Sequence, residues 1–239
     1  MPGVAEGTTT ARRRTPALRA SFRTSLFSLG FSAELMAKRR FEAPADARAR
    51  VCASLAESAR VKQALAGSCA EAIVRAAAMV AEAFARDGRV LAFGNGGSAS
   101  DAQHFAAELA GRFDGDRPAL PALALTANSS DLTAIGNDYG FEHLFARLIQ
   151  AHGRPGDVAV ALSTSGRSAN VNAGVAEARA RGLRTVALVG KGGGPLATLV
   201  DEAVVVPSDS TARVQESHIA IAHVICELVE ASLFPADRP

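Results

Sequence analysis

Short apolar runs alternate with helical patterns along most of the chain. Five of them read as buried strands: RVLAFG (89–94), ALALTA (122–127), DVAVALS (157–163), RTVALVG (184–190) and EAVVVP (202–207). Each is rich in Val, Leu and Ala with no polar face, as in strands covered on both sides. Helical patterns separate them, so the expectation is an α/β, three-layer αβα domain around a five-stranded parallel sheet. Residues 45–87 read as N-terminal helices ahead of it. Ser68-Cys69-Ala70-Glu71 has the form of a capping box, Ile73, Ala77, Val80 and Phe84 follow at helical spacing, and Gly88 supplies a stop. The last helix, about Thr211 to Leu233, is apolar over much of its circumference (HIAIAHVICELVEASLF), which predicts burial in the domain or against another subunit.

A length of 239 residues with 48% apolar composition fits one such domain with some extra helix. No apolar run approaches the roughly 20 residues of a membrane helix, and none is expected to cross a membrane. Cys52, Cys69 and Cys226 are isolated and odd in number, which points to a reduced, cytoplasmic setting. The net charge of +2 hides an asymmetry: residues 1–40 carry +6 and the remainder −4. The acidic body has no electrostatic footprint for nucleic acid, and no such partner is expected. Between Gly7 and Ala33 there is no Asp or Glu, while five Arg stand among Ser and Thr, a composition like a transit peptide. The plainer expectation is a disordered basic extension over residues 1–44, or a true start at Met36, ahead of a domain spanning 45–239.

In open α/β sheets ligands sit beyond the carboxyl ends of the strands. The first strand ends in Gly94-Asn95-Gly96-Gly97-Ser98 and the third in Ser163-Thr164-Ser165-Gly166-Arg167-Ser168, so both loops belong to that edge. Glycines let backbone N–H groups approach an anion, and serine and threonine hydroxyls add donors without charge. Two such loops suit a sugar phosphate. The first also matches GxGxxA of dinucleotide sites, but the acid expected after the second strand is missing until Asp131, and no GxxxxGK[ST] is present. A serine-rich turn alone is more often a helix cap.

His104 and Glu108 share one helical face a turn beyond the first loop. By itself such a pair is usually a surface interaction. Gln215 and His223 lie about two turns apart on the last helix, and an imidazole within IAIAHVICELV needs a partner. It reads by default as a satisfied core histidine. The four residues would also make an N/O metal set that suits zinc, which spacing alone does not establish.

GNGGSASDAQHFAAEL, AIGNDYGF, ALSTSGRSANV and TARVQESHIAIAH occur in the order found in the phosphoheptose isomerases of the sugar isomerase (SIS) domain family, and the chain resembles them over about residues 45–235. The resemblance implies the flavodoxin-like SIS version of the αβα fold. It implies an aldose–ketose isomerase acting between sedoheptulose 7-phosphate and D-glycero-D-manno-heptose 7-phosphate, the first step of ADP-heptose synthesis toward lipopolysaccharide. It further implies a cytoplasmic homotetramer with active sites between subunits. Carried over residue by residue, Glu108 and His223 are the catalytic base and acid/base. His104, Glu108, Gln215 and His223 bind about one zinc per subunit. Asn95, Gly96, Gly97, Ser98, Glu108, Asn137, Asp138, Ser163, Thr164, Ser165, Ser168 and Gln215 contact substrate. Arg167 departs from the family's STSGNS pattern. The rivals are an initiator-binding SIS protein, which lacks the Glu108 and His223 equivalents, an isomerase of another sugar phosphate, a sugar-sensing SIS module, and a nucleotide-cofactor dehydrogenase.

Overall fold

The computed structural model describes residues 43–235. The basic extension expected over residues 1–44 lies, but for its last two residues, outside them. The described residues from 49 onward belong to one compact unit. The elements are α1 (Ala47–Phe84), β1 (Val90–Gly94), α2 (Gly97–Ala110), β2 (Ala122–Ala124), α3 (Ser129–Tyr139), a 3₁₀ turn (Phe141–His143), α4 (Leu144–His152), β3 (Val158–Ser163), α5 (Ala169–Ala180), β4 (Arg184–Val189), α6 (Leu196–Leu199), β5 (Glu202–Val205) and α7 (Thr211–Leu233). All five expected strands form, and the last helix spans the expected residues.

The strands pair in parallel in the order β2-β1-β3-β4-β5, the flavodoxin-like order. Alternation along each strand divides the core in two. Val90, Ala92, Val158, Val160, Val186 and Leu188 face a layer built from α1, α2 and α7. Leu91, Phe93, Ala159, Ala161, Ala187 and Val189 face α4, α5 and α6, with the Phe93 and Phe145 rings 5.0 Å apart. The three-layer expectation is met. Chain reversal between β2 and β3 leaves a crevice beyond the carboxyl ends of β1 and β3, where a ligand site belongs.

One expectation is corrected. The segment ahead of the sheet is a single 38-residue helix rather than several. Ser68 does not cap a new start; its hydroxyl donates to the Ala64 carbonyl one turn back at 2.9 Å, inside an unbroken helix. Alanine-rich flanks favour continuation on both sides. By length and composition α1 is also apolar enough to cross a membrane. Here Ile73, Ala76, Ala77 and Val80 of that helix are buried in the core instead. The chain leaves the helix through Asp87 at φ 59, with Gly88 N–H closing on the Ala83 carbonyl at 2.8 Å.

On α7, His218 is fully buried, and among the described residues neither ring nitrogen has a hydrogen-bond partner. Burial pushes its pKa down to about 4; the Val189 carbonyl, near but outside hydrogen-bonding geometry, works weakly the other way. Below the unfolded value of about 6.5 only the unfolded chain takes up this proton. Stability therefore falls between about pH 6.5 and pH 4, by about 3 kcal/mol in total, and is unaffected above that window. Denaturation across this range should show a shallower loss in a His218→Leu variant; an identical pH dependence would contradict the assignment.

Candidate active site

Among the described residues, four helices that follow strand carboxyl ends start without a side-chain cap: α2 after β1, α5 after β3, the short α6 after β4 and α7 after β5. Some of their first N–H groups bond locally, Ser98 and Ala99 to the Asn95 and Gly96 carbonyls and Val171 to Asn170 Oδ1, while the positive dipole ends still favour an anion. In the second loop the serine hydroxyls accept from the loop's own backbone. Ser163 Oγ takes Gly166 N–H at 3.1 Å and lies 3.5 Å from Ser168 Oγ, and Ser165 Oγ takes Arg167 N–H at 3.3 Å and keeps its own proton to donate. Gly166 sits at φ +63, and a Cβ there would fall 1.8 Å from the Gly193 carbonyl oxygen. Its own carbonyl accepts Leu196 N–H at 3.1 Å, so the turn after β4 braces this loop from behind.

The two loops are tied to each other. Asn95 and Asn170 exchange side-chain amide hydrogen bonds of 2.8 and 3.0 Å, and Asn170 is buried. Asn170 escaped the sequence reading, although it lies just beyond the serine loop in RSANV. Ser98 is buried at the start of α2, and Arg167 is exposed at the lip of the second loop.

His104 and Glu108 face the same way from α2, with Nε2 and Oε1 3.0 Å apart. From α7, 119 residues along, His223 brings its Nε2 to 3.1 Å from that of His104. The ligand atoms of the three all lie within 4.8 Å of one another. The sequence's default reading of His223 as a core histidine does not hold: its ring meets His104 and lies 5.5 Å from the ring of Phe113. Two imidazole nitrogens and a carboxylate oxygen at these spacings can hold a metal ion. Ligands about 2.0–2.1 Å from a tetrahedral zinc stand about 3.3 Å apart, near the separations of His104 from Glu108 and from His223. His104 is 45% exposed and Glu108 27%, so the cluster opens to solvent in the single chain.

Gln215 touches the start of α2 directly. A Cβ at residue 97 would come within 1.8 Å of Gln215 Nε2, so only glycine lets that amide lie over the first loop. Gly97→Ala should fold normally, because a flexible amide can swing away. It should raise KM for a phosphosugar about 2–10-fold, the worth of one hydrogen bond. An unchanged KM would show that Gln215 has no part in binding.

Asn137 and Asp138 are exposed near the end of α3 and hydrogen-bond to each other at 2.7 Å. Among the described residues no hydrogen bond joins them to either loop or to the histidines. Cys226, one turn past His223, is fully buried. Burial, with Glu108 and Glu230 nearby, pushes its thiol pKa up to about 12, so it packs as a neutral group.

The SIS domain family matches residues 55–190. Phosphoheptose isomerase from Rhodospirillum rubrum is 53% identical over 167 residues, covering 70% of this chain and 89% of that protein. The one from Neisseria meningitidis serogroup A is 48% identical over 187 residues, covering 77% and 95%. Among solved structures, phosphoheptose isomerase from Neisseria gonorrhoeae superposes with a TM-score of 0.73 at 46% identity, covering 77% of this chain and 98% of that one. Family, length and fold agree, and the chain belongs to the SIS-domain family and, within it, to the phosphoheptose isomerases, which are enzymes.

Proposed function

We propose that the protein interconverts sedoheptulose 7-phosphate and D-glycero-D-manno-heptose 7-phosphate through an enediol, as the first step of ADP-heptose synthesis. The observation that carries the reading is the meeting of Glu108, His104 and His223 beside two loops rich in anion-binding groups. An initiator-binding role is disfavoured by the presence of both Glu108 and His223.

The phosphate rests on the N-termini of α2 and α5 and on the hydroxyls of Ser163, Thr164, Ser165 and Ser168, with the backbone of Asn95 to Ser98 beside it. Gln215, Asn137 and Asp138 meet the sugar hydroxyls. Glu108 takes the C1 proton of the ketose, the C–H electron pair becomes the C1–C2 double bond, and O2 receives a proton. Glu108 then returns its proton to C2 as O1 loses its own and the C1 carbonyl forms. His223 carries the proton between the two oxygens.

His104, Glu108, Gln215 and His223 would hold a zinc, about one per subunit, and the spacing of three of them suits it. A bound zinc supplies positive charge beside the sugar oxygens. Glu108 serves two roles through two oxygens: Oε1 faces His104, and Oε2 is left for the carbon-bound proton.

The protein acts as a cytoplasmic homotetramer with sites shared between subunits. Its free cysteines suit a reducing compartment. Val74 and Val224 are exposed beside an apolar groove lined by Leu65, Ile73, Ile221 and Leu228 of α1 and α7, a face that a second copy would cover. The basic extension over residues 1–44 takes no part in the chemistry. The reading is tested by assaying a panel of phosphoketoses of different length, with the protein as purified and after chelation. Turnover should be greatest with the seven-carbon sugar; equal or greater turnover of a shorter one would reassign the substrate.

A further inference from the structure

Arg117 belongs to neither loop and to none of the motifs above, yet its side chain is only 1% exposed. A guanidinium so deep needs partners for its donors. Its Nε meets Glu230 Oε1 at 2.5 Å. One terminal nitrogen donates to the Glu108 carbonyl at 2.9 Å. The other reaches the carbonyls of Leu109 at 2.9 Å, Gly111 at 3.3 Å and Pro118 at 3.1 Å. The last turn of α2 has no basic residue of its own, so Arg117 supplies the positive charge its open carbonyls favour. Glu230, 10% exposed, also accepts the N–H groups of Phe113 at 2.8 Å, Asp114 at 3.1 Å and Gly115 at 3.3 Å.

We infer that Arg117 and Glu230 are positioning residues, a clamp that fixes Glu108 of α2 against His223 of α7; this rests on reading those two as the acid–base pair. The clamp reaches both. Its guanidinium holds the backbone of Glu108 itself. Its carboxylate stands on the helix that carries His223, about two turns further on. The loop it gathers brings the Phe113 ring to 5.5 Å from the His223 ring. Burial alone would raise the Glu230 carboxyl pKa; the N–H groups of Phe113 and Asp114, with Arg117 and Gly115, outweigh it and hold the group ionised below the usual range. A buried ion pair adds little net stability over an apolar replacement, but its fork of directed bonds fixes a geometry that lysine does not reproduce. Proton transfer is sensitive to displacements of about 1 Å, which is the scale such a clamp controls.

The test uses full-length, zinc-loaded protein with Glu230→Gln, Arg117→Lys and Phe113→Leu, reading kcat, KM, melting temperature and zinc affinity. Glu230→Gln and Arg117→Lys should lower kcat by about 10–100-fold and weaken zinc by about ten-fold. KM should stay within about three-fold, because among the described residues the clamp's bonds run to α2, α7 and residues 111–118 rather than to the phosphate loops. Phe113→Leu should lower kcat severalfold with the clamp intact. A fall in melting temperature with kcat and zinc affinity unchanged would make the pair a structural staple and overturn the inference. Should Glu230→Gln and Arg117→Lys fail to fold, Phe113→Leu decides, and unchanged kcat and zinc affinity there overturn it. Should the wild type itself not isomerise, the reaction is what fails, and zinc affinity still decides the clamp.

Discussion

Glu108→Gln should reduce isomerisation by about 10²–10⁴-fold, the usual cost of losing a general base, and leave the fold intact. The amide keeps the shape of the carboxylate and an oxygen toward His104 Nε2, now 3.0 Å away. What it loses is the affinity for a carbon-bound proton. The side chain is 27% exposed and its nearest polar partner is a histidine on the same helix, so little stability depends on the contact. Phosphate binding should survive, since the loops after β1 and β3 are untouched, and the loss should appear in kcat rather than KM. Turnover near the wild-type rate would remove the carboxylate from the proton-transfer step.

The parts legible in the sequence are those in which the evidence is local. The strands announce themselves as short apolar runs, and His104 and Glu108 sit one turn apart on a helix that follows a glycine loop. The order of the strands is not local. It follows from which crossovers pack on which face, and only the resemblance implied it. The capping box at Ser68 misled because a serine can bond one turn back as readily as it can start a helix. His223 looked like a core residue because its neighbours Ile221, Ala222 and Ile225 are buried, while its own ring emerges beside His104. Arg117 and Glu230 lie 113 residues apart and follow no spacing rule. Only tertiary packing reveals that they meet.

His223→Ala should cost the protein both its zinc and its activity, with turnover down by about 10²-fold or more. On the proposed reading, the variant removes one of two imidazole ligands and the group that carries protons between O1 and O2. Elemental analysis after dialysis should find the wild type near one zinc per subunit and the variant near none. Because imidazoles bind metal only when neutral, acid should strip the wild-type metal as well. Full isomerase activity in a preparation that holds no metal and ignores chelator would leave Glu108 and His223 as a plain acid–base pair.

The central claim is a proton moved between C1 and C2 of a heptose phosphate by Glu108. It is tested most directly by following sedoheptulose 7-phosphate with the zinc-loaded protein in deuterated water by NMR. The account predicts an aldoheptose 7-phosphate carrying solvent deuterium at C2, because the proton rests on a carboxylate that exchanges with solvent, and no such signal with Glu108→Gln. No conversion of the ketose at all, or conversion at an undiminished rate with Glu108→Gln, would contradict it.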